Sequence, residues 1–265
     1  MIKTLAMALR ETDALTTGTT IPHINSSNAL VGTCNPLKLF LCPYGLSNVG
    51  TINARLNNAV GVTSIFIGSD ATLTSNMIVP STGYKAADGA MTELNIGATD
   101  DVLIVAAGQQ SSANSFRFDI ADTADGATSI ALLALRNNVA GTGQCIITDD
   151  ASAHTVSLTA LSAATAATDQ IYAVAFDRSA NGKAHRDSGT VASIATQTTS
   201  IATVTGALTF ASAAPSIFMF GKYYAVAMFK FTAGTLPSDW EAQVSWMGAN
   251  WILGNYVVPP AWKNL

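Results

Sequence analysis

The stretch Ile171-Tyr172-Ala173-Val174-Ala175-Phe176-Asp177 is apolar at six consecutive positions and then stops at a carboxylate. A run this short suits a strand, and its lack of alternation places it in the middle of a sheet that is covered on both faces. Its counterpart is Ser115-Phe116-Arg117-Phe118-Asp119-Ile120, where apolar and polar residues alternate. A period of two is that of a strand with one face buried. Outward from these two, similar short runs occupy residues 62–67, 91–96, 102–107, 129–135, 144–148, 155–159, 207–210 and 223–231. The spacers are Ser69-Asp70, Ala124-Asp125-Gly126, Asn137-Asn138, Asp149-Asp150 and Asn181-Gly182, all turn chemistry. Short strands at intervals of roughly 8–12 residues predict an all-β, antiparallel sandwich or barrel over residues 59–235.

The two ends read differently. Residues 1–58 carry short apolar pieces such as Pro36-Leu37-Lys38-Leu39-Phe40-Leu41-Cys42-Pro43 between polar clusters, without periodicity. They are expected to form an N-terminal arm lying along other chains. Residues 236–265 are expected to form one amphipathic helix and an extended tail. Ser238 and Glu241 have the spacing of a capping box, and Trp240, Val244, Met247 and Trp251 recur as one apolar stripe. Gly254 supplies the stop, and Val257-Val258-Pro259-Pro260-Ala261-Trp262 cannot continue a helix.

Composition narrows the function. Of 265 residues only 13 are basic and 17 acidic, a net charge of −4, and charged residues make up 11%. A soluble domain averages about 25%, so the surface is thinly charged. Hydrophobic residues at 49% exclude a disordered chain, and no basic stripe is present to neutralise phosphates, which excludes electrostatic nucleic-acid binding. The uncharged segment 188–221 is long enough to span a bilayer, but its Thr, Ser, Gln, Gly and Pro content reads as strands and turns, so no membrane partner is expected. The first eleven residues lack a full apolar region and cleavage site, so no signal peptide is expected. Cys34, Cys42 and Cys145 form no CxxC pair and are expected to be free thiols in a chain made in a host cytoplasm.

Two segments are similar to a known family. Residues 171–177, a polar turn, and then Ala184-His185-Arg186-Asp187-Ser188-Gly189 resemble the paired strands of concanavalin A-like/laminin G-like jelly rolls. Residues 223–231 followed by Leu236-Pro237-Ser238-Asp239-Trp240-Glu241 resemble that family's closing strand and short helix. The resemblance implies a two-sheet jelly-roll-like sandwich, used for carbohydrate or protein contact and found in phage virion proteins.

Candidate sites follow from residue type and spacing. Asp119, Asp122 and Asp125 lie three residues apart beside a turn and would supply part of a calcium shell; no other cofactor is expected. Asp149, Asp150 and His185 are candidates for a ligand loop. Trp246 lies off the helical stripe and Trp262 in a Pro-rich tail, so Trp246, Pro259, Pro260 and Trp262 are candidates for an interface. Catalytic residues are not expected. Glu11, Glu93 and Glu241 are too dispersed for a glycosidase pair, and adjacent aspartates such as Asp100-Asp101 point to opposite faces of a strand. His23, His154 and His185 lack metal-ligand spacing, and no G-x-S-x-G motif occurs. The reading is a non-enzymatic structural virion protein (capsid decoration, fibre or tail) that forms homo-oligomers and contacts other virion proteins through its two ends. The alternative is a carbohydrate-binding module or phage receptor-binding adhesin with a surface glycan as partner.

Overall fold

The computed structural model describes residues 34–43, 60, 77–80, 87, 89–110, 116–122, 168–177, 210 and 215–265 with their side chains, together with the backbone of further strands between residues 46 and 196. The strands are β1 (Leu37–Leu41), β2 (Leu46–Ser47), β3 (Arg55–Asn57), β4 (Ser64–Phe66), β5 (Ala71–Thr74), β6 (Met77–Pro80), β7 (Tyr84–Ala86), β8 (Asp100–Gln109) and β9 (Phe116–Ala121). They continue with β10 (Leu132–Asn137), β11 (Gly143–Asp149), β12 (Ser152–Leu158), β13 (Asp169–Phe176), β14 (Lys183–Asp187), β15 (Ala192–Thr196), β16 (Ser216–Phe220) and β17 (Lys222–Thr232). One α-helix, α1 (Trp240–Ile252), follows.

Two antiparallel sheets build the all-β body. An eight-stranded sheet runs β15-β14-β13-β8-β17-β6-β5, with β1 also paired to β17, and a six-stranded sheet runs β12-β11-β10-β9-β16-β7. A small third sheet joins β2, β3 and β4. β13 sits between β8 and β14, and it is buried from Gln170 to Phe176. Its even positions Tyr172, Val174 and Phe176 meet Phe116, Phe118 and Ile120 of β9 in the core between the sheets. Its odd positions Ile171, Ala173 and Ala175 face a second core made with Trp240, Val244, Met247 and Trp251 of α1. The uninterrupted apolar run is therefore a strand shared by both cores, as β8 and β17 are.

Three expectations about the chain ends change. The segment Leu37–Leu41, expected within an arm reaching to other chains, is a strand of the larger sheet: Leu37 pairs with Phe229 and Leu41 with Val226, and Phe40 packs edge-on against Trp251. The reason is that β17 offers a free edge there, and pairing β1 satisfies its backbone groups. The capping box does not form. Asp239 is the N-cap, and its carboxylate accepts from Gln243 Nε2 at 2.7 Å instead of from a backbone N–H. The tail runs extended only to Pro259, where Pro260–Trp262 closes a 3-10 turn.

At the other end of α1 the stop is as expected. Gly254 has φ +81°, its N–H donates to the Trp251 carbonyl at 2.9 Å, and the Asn255 N–H reaches the Asn250 carbonyl at 2.8 Å. That double bond is a Schellman closure, which needs a residue free of Cβ strain at Gly254.

Candidate functional site

Where β8, β13 and β17 end together, a polar cluster interrupts the apolar sheet. Asp169 pairs in register with Gln109, and Gln109 with Lys222 on its other side. Between Tyr223 and Ala225 the register of β17 against β8 slips by one residue. A bulge of this kind re-aims side chains: Tyr223 enters the core between the sheets, whereas Tyr224 joins the core under α1. Gly108 makes the slip possible, since a Cβ there would stand 2.0 Å from the Lys222 carbonyl oxygen.

Tyr224 thereby reaches Asp169. Its hydroxyl donates to Asp169 Oδ1 at 3.0 Å, and Gln109 Nε2 donates to the same oxygen at 2.8 Å. Two donors on Oδ1 hold the carboxyl group in place, while among the described residues Oδ2 has no bonded partner. Burial, reinforced by the bond to Asp169 and by its charge, pushes the Tyr224 phenol up to about 12, so it stays a donor at neutral pH. One step along the same strands, Gln110 and Gln170 are buried, and among the described residues Gln110 Nε2, Gln110 Oε1 and Gln170 Oε1 have no hydrogen-bond partner. Gln170 is an even position of β13 and so lies on the face opposite Asp169, toward the core between the sheets.

Tyr223 performs a structural task behind this cluster. Fully buried, its hydroxyl accepts from the Phe220 N–H at 3.1 Å and shares its single hydrogen between the Arg117 carbonyl and the Phe220 carbonyl, the latter at 3.0 Å, tying the larger sheet to β9 and β16. Desolvation holds this phenol well above its usual value.

The residues expected to form sites are dispersed. Asp119 is fully buried on β9 and bound by Arg117, whose Nε donates at 2.6 Å while its guanidinium lies over the Phe218 ring at 4.2 Å. This carboxylate thus already faces a cation, at odds with its expected place in a calcium shell. Asp122 is buried just beyond β9, and Asp125 lies outside the described residues. Among the described residues no group of three or more His, Cys, Asp or Glu side chains gathers as for a metal.

Asp149 closes β11 in the six-stranded sheet, Asp150 lies outside the described residues, and His185 sits mid-strand in β14 of the other sheet, opposite Ala173. No single loop carries the three. Asp100 and Asp101 latch turns: Asp100 Oδ2 accepts from the Gly97 N–H and Asp101 Oδ2 from the Gly234 N–H, both at 2.7 Å.

Of the interface candidates, Trp262 is corrected. It is 1% exposed within its own chain, packed edge-on against Phe229 and Phe231, with its carbonyl facing the Cys34 thiol at 3.7 Å. The 3-10 turn after Pro259 folds it back onto β17, so no neighbour is needed to bury it. Pro259 is buried as well, Pro260 is exposed, and Trp246 is 39% exposed. Cys34 and Cys42 are buried and joined by no disulfide, as expected, and the side chain of Cys145 lies outside the described residues. Among the described residues no helix is long and apolar enough to cross a membrane.

The cluster around Asp169 escaped sequence reading. Its only signal is that the polar doublets Gln109-Gln110 and Asp169-Gln170 end two long apolar runs, a pattern that strand termini show for structural reasons alone.

No protein-family model and no curated protein sequence matches the chain. Among solved structures, Trypanosoma rangeli sialidase in complex with sialic acid is similar over 96% of this chain and 39% of its own, with a TM-score of 0.52 and 9% identity. The CBM40 module of the Ruminococcus gnavus IT-sialidase, bound to α2,6-sialyllactose, overlaps over 55% of this chain and 83% of its own, with a TM-score of 0.39 and 10% identity. The CBM2 module of the Lactobacillus casei BL23 phage J-1 evolved Dit overlaps over 65% and 83%, with a TM-score of 0.39 and 11% identity. At these identities the likeness is one of fold, and the fold is a β-sandwich.

Proposed function

We propose that the chain is a non-enzymatic carbohydrate-binding protein that holds a hydroxyl-rich ligand where β8, β13 and β17 end. The observation that carries this reading is Asp169: one oxygen is fixed by Gln109 and Tyr224, and the other has no partner among the described residues. A carboxylate held in place by two donors is a pre-oriented acceptor for sugar hydroxyls. The fold shared with a sialidase that holds sialic acid supports sugars as the ligand class.

Glycoside hydrolysis would require a second carboxyl group across the scissile bond, at a separation of about 5–9.5 Å. Asp100, Asp101 and Asp119 are engaged in architecture, and Asp169 is the single carboxylate of the cluster among the described residues. The structural virion reading loses two of its supports, because Leu37–Leu41 and Trp262 are used inside the fold. A glycan array probed with the full chain tests the proposal. Reproducible binding, competed by free oligosaccharide and without release of reducing ends, is expected. Absence of binding to any glycan, or cleavage of one, overturns it.

A further inference from the structure

The outward side of α1 is unlike that of an ordinary surface helix, which carries charge there. Its buried stripe is Trp240, Val244, Met247, Gly248 and Trp251. On the opposite side Ala242, Trp246, Ala249 and Leu253 are all exposed, Trp246 at 39% and Leu253 at 76%. Their spacings of four, three and four residues align them in one row along the helix. The only charged side chain of the helix is Glu241, in its first turn, and none follows until Lys263.

The row alternates small and large: Ala, Trp, Ala, Leu. A two-fold axis crossing the helix between Met247 and Gly248 brings residue 246 of one copy opposite residue 249 of the other, and residue 242 opposite residue 253. Each large side chain then meets a small one, which is the self-complementarity an isologous contact requires. Because the row is uncharged, two copies also meet without a like-charge pair. We infer that the outward face of α1 is a self-association surface, covered by α1 of a second copy of this chain packed antiparallel. The contact is independent of the glycan reading, since Asp169 lies at the end of the sheet and not on the helix. Four side chains bury less than the roughly 800 Å² per partner of a standard interface, so the dimer dissociates on dilution.

Sedimentation velocity on the full chain, from micromolar to hundreds of micromolar, tests this. The expected result is a shift from the 27.4 kDa monomer to a dimer, at least tenfold weaker in Trp246→Glu and in Ala249→Trp, with the circular-dichroism melt of both variants unchanged. Acrylamide quenching, with Trp246→Phe subtracted to isolate the Trp246 signal, is expected to show Trp246 accessible in the dilute monomer and shielded in the dimer. A chain that is monomeric at every concentration overturns the inference, as does an oligomer unaffected by both substitutions. Trp246 already shielded in the dilute monomer also overturns it, because a segment of the same chain then covers the row.

Discussion

The two cores on either side of the eight-stranded sheet are built by opposite means. Between the sheets, both partners contribute bulk: Tyr172, Phe176 and Tyr223 from one, Phe116 and Phe118 from the other, with Phe116 stacked on Tyr172 at 4.4 Å between ring centroids. On the helix side the sheet contributes many small residues, Ala107, Ala173, Ala175, Ala225 and Ala227. Much of the bulk is laid over it by the C-terminal segment, as Trp240, Trp251, Tyr256 and Trp262, which pack with Phe40, Phe229 and Phe231 of the sheet itself. An alanine-rich face lets α1 lie close, and Gly248 comes so near that a Cβ would stand 2.5 Å from Ile171. The lesson is that a covered sheet face can mix small residues, where the helix lies close, with large ones, where the tail packs.

The strand seam common to both cores is the place to break them together. Gly108→Ala drives a Cβ into the backbone carbonyl of Lys222, which cannot rotate away, so a loss above about 3 kcal/mol and an unfolded or aggregated product are expected in denaturant titration. Next comes a contrast between tryptophans. Trp262→Ala removes a buried ring and should cost about 3–5 kcal/mol, whereas Trp246→Ala, at an exposed position, should change monomer stability by no more than about 0.5 kcal/mol. Equal costs would mean that the outer core is not packed as described. Gly248→Ala should cost about 1–3 kcal/mol by lifting α1 from Ile171, with one cooperative melt retained if the two cores unfold as a unit.

The smallest effect concerns the Cys34 thiol, which burial pushes up from 9.0 to about 11. Its neutral form is favoured by the fold. The stability it contributes is complete below pH 9 and is lost as pH rises through 11. Thiol labelling at pH 8, read by mass spectrometry of the Cys34 peptide, should be slow in the native chain and fast in denaturant.

These contrasts also explain what the sequence discloses. The central strand is legible because Ile171 to Phe176 is apolar on both faces, and the helix because Trp240, Val244, Met247 and Trp251 share one stripe. β1 is hidden because its five residues, Leu37–Leu41, are too short a run to distinguish an edge strand from an arm. Trp262 is misread because a Pro-Pro pair breaks a helix but does not reveal that the chain turns back. The Asp169 cluster depends on a bulge in β17 whose one mark in the sequence is Gly108 on the partner strand, and a single glycine does not say which strand slips or by how much.

Ligand binding should depend on Asp169 above any other residue. Isothermal titration of an oligosaccharide identified on the array, into the full chain and its variants, measures this most directly. Asp169→Ala is predicted to weaken binding at least tenfold, about 1.4 kcal/mol, with Asp149→Ala and His185→Ala unchanged. Binding that survives Asp169→Ala but is lost in Asp149→Ala or His185→Ala would contradict it.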